Sequence, residues 1–304
     1  MLHITNGDIA AETIGRSGVS GTILPWREMW LDGPFMLQWW LPEAIWQRAD
    51  YFERTMAVPR GLFAEGCTQQ LKALDQALLQ KDDIVLWFEY DLYDQAMLSS
   101  ILYRIAASLE ESPDYPLPEW IIVTDFPGKE TFRGIGQLNQ EEMASLWPQR
   151  KRMTVPELRA AAAGWESYVT GDAERIAAWI EQAEQTLPVM AEAYRFRLAM
   201  LPSRSDGLGC VERTTLQILA EHPEGFNPIQ LFKELSNRLP LYGAGDLSYW
   251  RVLERMADGD RPLLSITGNR PLPQFTSSDT EARPPAERQI QLTEAGWRTI
   301  SEIR

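Results

Sequence analysis

The first 125 residues alternate between two hydrophobic patterns. Short apolar runs bounded by turn residues predict four strands, and the stretches between them carry apolar residues at helical spacing. The predicted strands are MLHIT (1–5), SGTILPW (20–26), IVLWFEY (84–90) and EWIIVTD (119–125). Strands that alternate with helices are typical of a parallel sheet with helices on both faces, so residues 1–150 are predicted to form a Rossmann-like α/β domain.

Helical periodicity dominates the next part of the chain. Runs rich in alanine and glutamate, which are strong helix formers, predict helices at 156–169, 172–187 and 188–201. The last of these begins with Pro188, a residue suited to the first turn of a helix. Residues 151–207 are therefore predicted to be a helical linker segment.

A third pattern begins at residue 208. The predicted elements are three short helices at 211–222, 227–238 and 245–258, two strands at 262–268 and 288–293, and a closing helix over LTEAGWRTISEI (292–303). A loop rich in proline and serine, 269–287, joins the two strands. Three helices followed by a β-hairpin are typical of the winged helix, a helix-turn-helix variant, so residues 208–304 are predicted to form a winged-helix-like domain.

Composition and charge narrow the classes of partner. Of the 304 residues, 44% are hydrophobic and 24% are charged, which is ordinary for a globular protein with packed cores. The formal net charge is −14: residues 208–304 hold 11 basic and 13 acidic side chains, against 18 and 30 in residues 1–207. Because a strong negative field repels nucleic acid at long range, DNA is disfavoured as a partner of the N-terminal part.

Cysteine and histidine usage limits the metal sites to consider. Cys67 and Cys210 are far apart and form no CxxC pattern, which argues against a disulfide scaffold or a cysteine zinc site. With only His3 and His222, a multi-histidine centre is disfavoured as well. A metal ion would have to be held mainly by carboxylates, which suits Mg²⁺, and the identity of any cofactor stays open.

The sequence also predicts where the protein resides. No basic leader precedes the first predicted strand, and the most apolar stretch, 34–46, is too short to span a bilayer. The cysteine usage fits a reducing compartment. We therefore expect a cytoplasmic protein with no membrane partner.

Polar residues follow every predicted strand. They are Asn6, Gly7 and Asp8 after the first strand, Arg27 and Glu28 after the second, Glu89, Asp91, Asp94 and Gln95 after the third, and Asp125 after the fourth. Ligands of open parallel sheets bind outside the carboxyl ends of the strands. If the sheet is parallel, all four clusters lie along one edge and line one cleft.

The residue types at this edge suggest roles. Asp8, Asp91 and Asp125 are the candidate catalytic residues, because a carboxylate holds hydrated Mg²⁺ or acts as a base. Arg27 is the candidate anion ligand, since a guanidinium group binds phosphate or carboxylate through two hydrogen bonds. Trp26 and nearby tryptophans offer a stacking surface for a base. The other candidate ligand-binding residues are His3, Asn6, Gly7, Glu28, Gln95 and Gln137.

Each of these residues has a structural alternative. Asp8 and Asp91 stand where helix N-caps belong. His3 within a strand is typical of a hydrogen-bonded core residue, Arg27 can pair with Glu28, and tryptophans are more often packing residues than stacking platforms. The prediction of a site therefore depends on the convergence of four clusters, and not on any single motif.

The third C-terminal helix decides whether a winged helix binds DNA. Ser248, Arg251 and Arg255 fall on one face of that helix, and the two arginines are the candidate contacts to phosphate or guanine. Acidic residues crowd the same helix, and its nearly neutral domain carries no basic footprint. A role in protein interaction or dimerisation is an equal alternative.

Five motifs occur in order along nearly the whole chain. They are HITNGD (3–8), LPWREMWLDGP (24–34), LWFEYDLYDQ (86–95), GIGQL (134–138) and LPSRSDGL (201–208). In wording and order they resemble an uncharacterised bacterial family, domain of unknown function 1835. Glu28 departs from the aspartate expected in many relatives, a swap that keeps the carboxylate. The resemblance implies a shared architecture and a shared pocket, and it carries over no catalytic assignment.

The leading hypothesis is that the N-terminal cleft binds a small anionic, nucleotide-like ligand, with phosphoryl hydrolysis or transfer as an open extension. One alternative is a regulator in which the α/β domain senses an effector and the winged helix binds DNA. Another is a protein-interaction scaffold or homo-oligomer. Whether the protein is an enzyme stays open at this point.

Overall fold

The computed structural model describes residues 1–111, 116–268, 272, 275 and 288–303. Its first half alternates strands and helices as the hydrophobic pattern predicts. The elements are β1 (Leu2–Asn6), α1 (Gly7–Arg16), β2 (Thr22–Trp26), α2 (Pro42–Met56), α3 (Arg60–Leu79), β3 (Ile84–Glu89), α4 (Leu92–Glu111), β4 (Glu119–Val123), α5 (Gln140–Leu146) and β5 (Lys151–Arg152). The predicted strands at the start of the chain are therefore confirmed as elements.

The five strands form one sheet in the order β2-β1-β3-β4-β5. The first four strands in the chain pair in parallel, and β5 pairs antiparallel to β4. All six residues of β3 are buried, which explains its continuous apolar run. This arrangement confirms the α/β class and is consistent with a Rossmann-like sheet.

The edge strand β5 is a difference from the sequence-based prediction. Its two residues, Lys151 and Arg152, are charged and exposed, so no hydrophobic alternation marks them as a strand. Opposite charges accompany the pairing with β4: Arg150 Nε lies 2.9 Å from a carboxylate oxygen of Glu119, and Arg152 lies 3.3 Å from the other. Cross-strand charge pairs of this kind support a short edge strand.

The middle segment is helical, as predicted. Its helices are α6 (Val155–Thr170), α7 (Ala173–Ala183) and α8 (Pro188–Met200). α6 begins with a capping box, in which Thr154 and Glu157 bond reciprocally to each other's backbone N–H groups, and Pro188 is the first residue of α8. Both α6 and α8 pack on α4, so this segment covers one face of the sheet domain.

The last part of the chain has the predicted order of elements. These are α9 (Cys210–Glu221), α10 (Pro228–Arg238), α11 (Asp246–Met256), β6 (Leu264–Ile266), β7 (Ile290–Leu292) and α12 (Glu294–Ile303). β6 and β7 pair antiparallel. The predicted loop at 269–287 lies outside the described residues, apart from Leu272 and Phe275.

One large hydrophobic cluster runs through all three parts of the chain, from Leu2 in β1 to Ile300 in α12. Within it, α4 is buried between β3 and the helices α6 and α8. The predicted domain boundaries near residues 150 and 207 stay predictions. No helix in the described part of the chain is long and apolar enough to cross a membrane.

Candidate functional site

The strand order creates a topological switch point between β1 and β3. From β1 the chain first forms β2 on one side, and it later forms β3 on the other. The crevice between such strands, at their carboxyl ends, is where open α/β sheets bind ligands. Here β1 ends at Asn6 and β3 ends at Glu89, and both residues line a cavity of about 610 Å³. A cavity of this size is typical of small-molecule sites.

Residues from distant parts of the chain form the walls of this cavity, which we call the switch-point cleft. The lining residues are Asn6, Glu89, Tyr90 and Asp91 from the strand ends, Thr131, Phe132 and Arg133 from the loop after β4, and Ser236, Asn237, Leu239, Pro240, Gly243 and Ala244 from the end of α10 and the loop after it. The cleft therefore lies between the sheet and the C-terminal helices.

Glu89 is held against the glycine-rich turn of the GIGQL motif. The carboxyl group accepts a hydrogen bond from the backbone N–H of Ile135 through Oε1, at 2.7 Å. Gly134 has a φ of +141°, and a Cβ atom there would overlap the carboxyl group of Glu89. Burial, followed by the nearby charge of Asp91, raises the pKa of Glu89 to about 8. Burial therefore favours the protonated form of this carboxyl group.

Asp91 joins the sheet to the C-terminal segment. Its Oδ1 accepts the backbone N–H of Asp94 at 2.9 Å, which is the N-cap bond of α4. A Cβ atom on Gly243, whose φ is +63°, would overlap the Asp91 carboxyl group. The N–H of Leu92 donates to the carbonyl of Leu241 at 2.9 Å. Burial raises the pKa of Asp91 to about 6.

Asp94, which is fully buried, holds the two strand ends together. Its Oδ2 accepts the backbone N–H of Glu89 at 2.6 Å, and its Oδ1 accepts a hydrogen bond from the Asn6 side chain. The side chain of Gln95 donates to the carbonyl of Glu89. Burial, with the charges of Glu89 and Asp91, raises the pKa of Asp94 well above its usual range. Because both Asp94 oxygens have internal donors, its role is to position Asn6 and Glu89.

A basic side chain, Arg133, also lines the cleft, where it is exposed. Its guanidinium group donates to the side chain of Asn237 on α10. Beside it, the hydroxyl group of Tyr90 donates to the carbonyl of Phe132 at 3.2 Å. Burial and the charges of Asp91 and Glu89 raise the pKa of Tyr90, and Arg133 partly offsets them. The cleft thus combines carboxyl groups, an aromatic side chain and a cation.

Two of the predicted residues, Asp8 and Arg27, form an exposed ion pair outside the cleft lining. Arg27 Nε donates to Asp8 Oδ2 at 2.9 Å, and the side chains are 56% and 68% exposed for Arg27 and Asp8. The hydrogen bond from Arg27 lowers the pKa of Asp8. Gly7 starts α1 with a φ of +70°. The parallel sheet thus brings Asn6 and Asp91 together, and leaves Arg27 at the end of the edge strand β2.

His3 and Trp26 lie in the core. Trp87 Nε1 donates to Nδ1 of His3 at 3.1 Å, and the other ring nitrogen of His3 is 3.2 Å from the carbonyl of Ser20. Burial lowers the pKa of His3, with partial compensation by the bond to Ser20, so its ring is neutral at pH 7. Trp26 is 1% exposed and packs edge-on against Trp39. His3 is therefore a hydrogen-bonded core residue and Trp26 a packing residue, which are the structural alternatives to a ligand-binding role.

Glu28 is bonded to Arg48 of α2, not to Arg27. The two charged groups are 2.6 Å apart and almost completely buried. Arg48 also donates to the carbonyl of Pro34 at 2.8 Å, and its guanidinium carbon lies 3.9 Å from the centre of the Trp30 ring. Glu28 and Arg48 therefore fix the irregular segment between β2 and α2.

Asp125, Gln95 and Gln137 occupy other positions. Asp125 is exposed and, with Gln95, lines a second cavity of about 670 Å³ beside β4 and β5. Gln137 accepts the backbone N–H of Arg133 at 3.0 Å and shapes the loop that carries Arg133. The described residues contain no group of three or more histidine, cysteine, aspartate or glutamate side chains that could hold a metal ion.

Arg251 and Arg255 of α11 lie near Asp32 of the segment between β2 and α2. The Ser248 hydroxyl and both guanidinium groups act to lower the pKa of Asp32, although burial, the largest effect, raises it. Ser248 is 4% exposed, and Arg255 lies 3.5 Å from a carboxylate oxygen of Glu212. On the face of α11 that carries the candidate DNA contacts, Ser248 is therefore packed against the same chain, whereas Arg255 is 51% exposed.

The sequence placed Glu89 and Asp94 in the polar cluster after β3 but gave them no role, and it did not include Arg133, Asn237 or Gly243. An acidic residue at the end of a fully apolar strand is a signal for Glu89, and an isolated GxG turn is a signal for its partner Gly134. Arg133 and Asn237 carry no such signal, because they meet only through packing between segments 104 residues apart.

No protein-family model matches the chain, and no curated protein matches it either. The resemblance to domain of unknown function 1835 therefore stays a prediction that rests on its five motifs.

Proposed function

We propose that the protein binds a small anionic, nucleotide-like ligand in the switch-point cleft. The observation that carries the proposal is the cavity between the ends of β1 and β3, lined by Asn6, Glu89 and Asp91. Ligand sites in open α/β sheets lie at this place in the fold. The lining also combines apolar surface with a few convergent polar groups and shifted pKa values, which is typical of binding sites.

The proposal takes Arg133 as the partner of the ligand's anionic group. Arg133 lines the cleft, whereas Arg27 lies outside the lining and is already paired with Asp8. A guanidinium group forms two parallel hydrogen bonds with phosphate or carboxylate. Tyr90 offers an aromatic ring to a base or another planar group.

Phosphoryl hydrolysis or transfer is an extension of the same proposal. It would use Asp91, whose pKa is raised less than that of Glu89, to accept a proton from the attacking group. Mg²⁺ in the cleft would depend on the phosphate oxygens of the ligand for much of its coordination, as it commonly does in nucleotide sites.

A thermal-shift screen against nucleotides and phosphorylated sugars, with and without Mg²⁺, tests the proposal. A ligand that binds only the folded protein raises the melting temperature. We expect a shift in wild type that Arg133→Ala removes and that the matched control, Arg27→Ala, retains. No shift with any compound, or loss of the shift in Arg27→Ala alone, would contradict the assignment of the ligand to this cleft.

We further propose that residues 208–304 have winged-helix topology and use it to form one wall of the cleft. The support is the order of α9, α10, α11, β6 and β7, with a bridge from Phe226, between α9 and α10, to Ile290 of β7. The DNA-binding alternative has less support, since Ser248 is buried and Asp32 faces the arginines of α11. Tight binding to duplex DNA at low salt, lost in Arg251→Ala, would reverse this preference.

Membership of the family with domain of unknown function 1835 and a cytoplasmic location are proposals as well. The first rests on the five motifs quoted above. The second rests on the free thiols of Cys67 and Cys210, which fit a reducing compartment.

A further inference from the structure

One oxygen of the buried Glu89 carboxyl group has no hydrogen-bond partner within the described part of the chain. Oε1 accepts the N–H of Ile135, while Oε2 has no such partner. Glu89 is 9% exposed and lines the cleft, so a bound molecule is within its reach. Oε2 is not one of the fully buried side-chain atoms without a partner, so it is open to the cleft, and a ligand that displaces solvent there has to replace the solvent's hydrogen bond. A ligand that completes the hydrogen bonding of Glu89 is therefore favoured over one that does not.

The second carboxyl group, of Asp91, determines which part of a ligand faces this end of the cleft. Asp91 is 6% exposed and lines the same cavity. Two neighbouring acidic groups repel a phosphate or carboxylate, and the repulsion is strong where water is excluded. The anionic group of the ligand therefore faces Arg133, and an uncharged or donor-bearing group faces Glu89 and Asp91.

The protonation of Glu89 and Asp91 further restricts which chemical group of the ligand can face them. Burial raises the pKa of Glu89 to about 8 and that of Asp91 to about 6, so the pair titrates across neutral pH and presents both protonated and ionised carboxyl groups to a ligand. A hydroxyl group both donates and accepts hydrogen bonds, so it can bond to either form. An ammonium group only donates, and it matches only the ionised form. Two adjacent hydroxyl groups thus suit this pair better than an amine.

We infer that the cleft selects ribonucleotides, with the 2′ and 3′ hydroxyl groups of the ribose bonded to Glu89 and Asp91 and the phosphate paired with Arg133. This inference rests on the proposed function and adds to it the class of sugar and the direction in which the ligand lies. It also gives the Glu89–Gly134 and Asp91–Gly243 contacts a shared role, since each glycine leaves room for a carboxyl group that faces the ligand.

Calorimetric titration with matched nucleotides tests the inference. The probes are AMP, GMP, CMP and UMP, each compared with its 2′,3′-dideoxy counterpart. We expect at least one ribonucleotide to bind about 10- to 100-fold more tightly than its dideoxy form, because hydrogen bonds to charged groups are lost with the hydroxyls. Glu89→Gln and Asp91→Asn should each reduce this preference. Asp8→Asn, an exposed change outside the lining, should keep it.

The outcomes separate this inference from the proposed function. Equal affinity for the ribose and dideoxy forms overturns the inference and leaves the cleft as a nucleotide site. Binding by none of the eight compounds overturns the nucleotide proposal and the inference together. The preference for ribonucleotides could also persist undiminished in both Glu89→Gln and Asp91→Asn. If circular dichroism shows that both variants are folded, this result places the ribose elsewhere and overturns the inference.

Discussion

The carboxyl group of Glu89 occupies the space that a side chain at Gly134 would need. The contact joins the end of β3 to the loop that carries Arg133, and the hydrogen bond from Ile135 N–H to Glu89 reinforces it. Glycine at 134 is required twice over, because its φ of +141° is also a conformation that residues with a Cβ atom rarely adopt. The first glycine of the GIGQL motif is thereby explained, because it leaves room for the buried carboxyl group of Glu89.

Gly134→Ala is expected to lower the free energy of unfolding by about 2–4 kcal/mol, through overlap with Glu89 and backbone strain. The matched control is Gly136→Ala, two residues on, where a Cβ atom would meet Ile9 at an ordinary 3.6 Å. We expect the control to change stability by less than about 1 kcal/mol. Urea denaturation measures the change in the free energy of unfolding for both substitutions. Equal changes would contradict the role assigned to Glu89.

Glu89→Gln is expected to change how stability depends on pH. The pKa of Glu89 is about 8 in the folded protein against a usual 4.5, because burial and Asp91 disfavour its charge. The folded state therefore retains a proton that the unfolded chain releases, so the free energy of unfolding falls as pH rises from 4.5 to 8 and levels off above it. Glutamine keeps an acceptor for Ile135 N–H and removes this titration.

Relative to wild type, Glu89→Gln should accordingly be more stable at pH 9 than at pH 5, by a difference on the order of 4 kcal/mol. Urea denaturation of both proteins at pH 5, 7 and 9 gives this difference. Glu65→Gln, at an exposed position of α3, serves as the control and should track wild type. A difference between Glu89→Gln and wild type that does not vary with pH would refute the prediction.

Much of the fold could be predicted because the sequence patterns that indicate it each lie within a short stretch of the chain. Strand-like runs and helical periodicities lie within single elements, and the polar residues after β1 and β3 stand next to those strands in the sequence. Asn6 and Asp91 were therefore accessible to sequence reasoning. The position of β2 was not, because strand order depends on tertiary packing, and the edge position of β2 leaves Arg27 outside the cleft lining.

The rest of the site depends on packing between remote segments. Gly243 meets Asp91 across half of the chain length, and nothing in the LYGAGD stretch indicates that a carboxyl group packs on its first glycine. The sequence did not indicate the pairing of Glu28 with Arg48 either. An arginine in the middle of a helix is normally exposed, and only the fold shows that the segment before α2 encloses it.

Glu28→Gln is expected to destabilise the protein by about 3–5 kcal/mol, because it leaves the buried Arg48 guanidinium group without a counter-charge. Asp8→Asn removes one partner of the exposed Asp8–Arg27 pair and should change stability by no more than about 1 kcal/mol. Thermal and urea unfolding distinguish the two. Similar losses in both variants would mean that the Glu28–Arg48 pair is far more hydrated than its burial indicates.

Gly243→Ala is expected to loosen the C-terminal segment from the sheet. A Cβ atom there would overlap the Asp91 carboxyl group, and the φ of +63° adds strain. The segment can relieve the overlap by moving away, which would break the bond from Leu92 N–H to the Leu241 carbonyl. Hydrogen exchange at Leu92 should therefore speed up by at least about tenfold, the change produced by 1.4 kcal/mol of local opening.

The matched control for this change is Gly245→Ala. No heavy atom in the described part of the chain lies within 4 Å of a Cβ atom built there. It should leave exchange at Leu92 unchanged, since Gly245 precedes α11 and does not meet Asp91. If Gly243→Ala also leaves exchange at Leu92 unchanged, the C-terminal segment is not held at the cleft by the Asp91 contact. If exchange rises and ligand affinity falls together, the wall formed by α10 and the loop after it is part of the binding site.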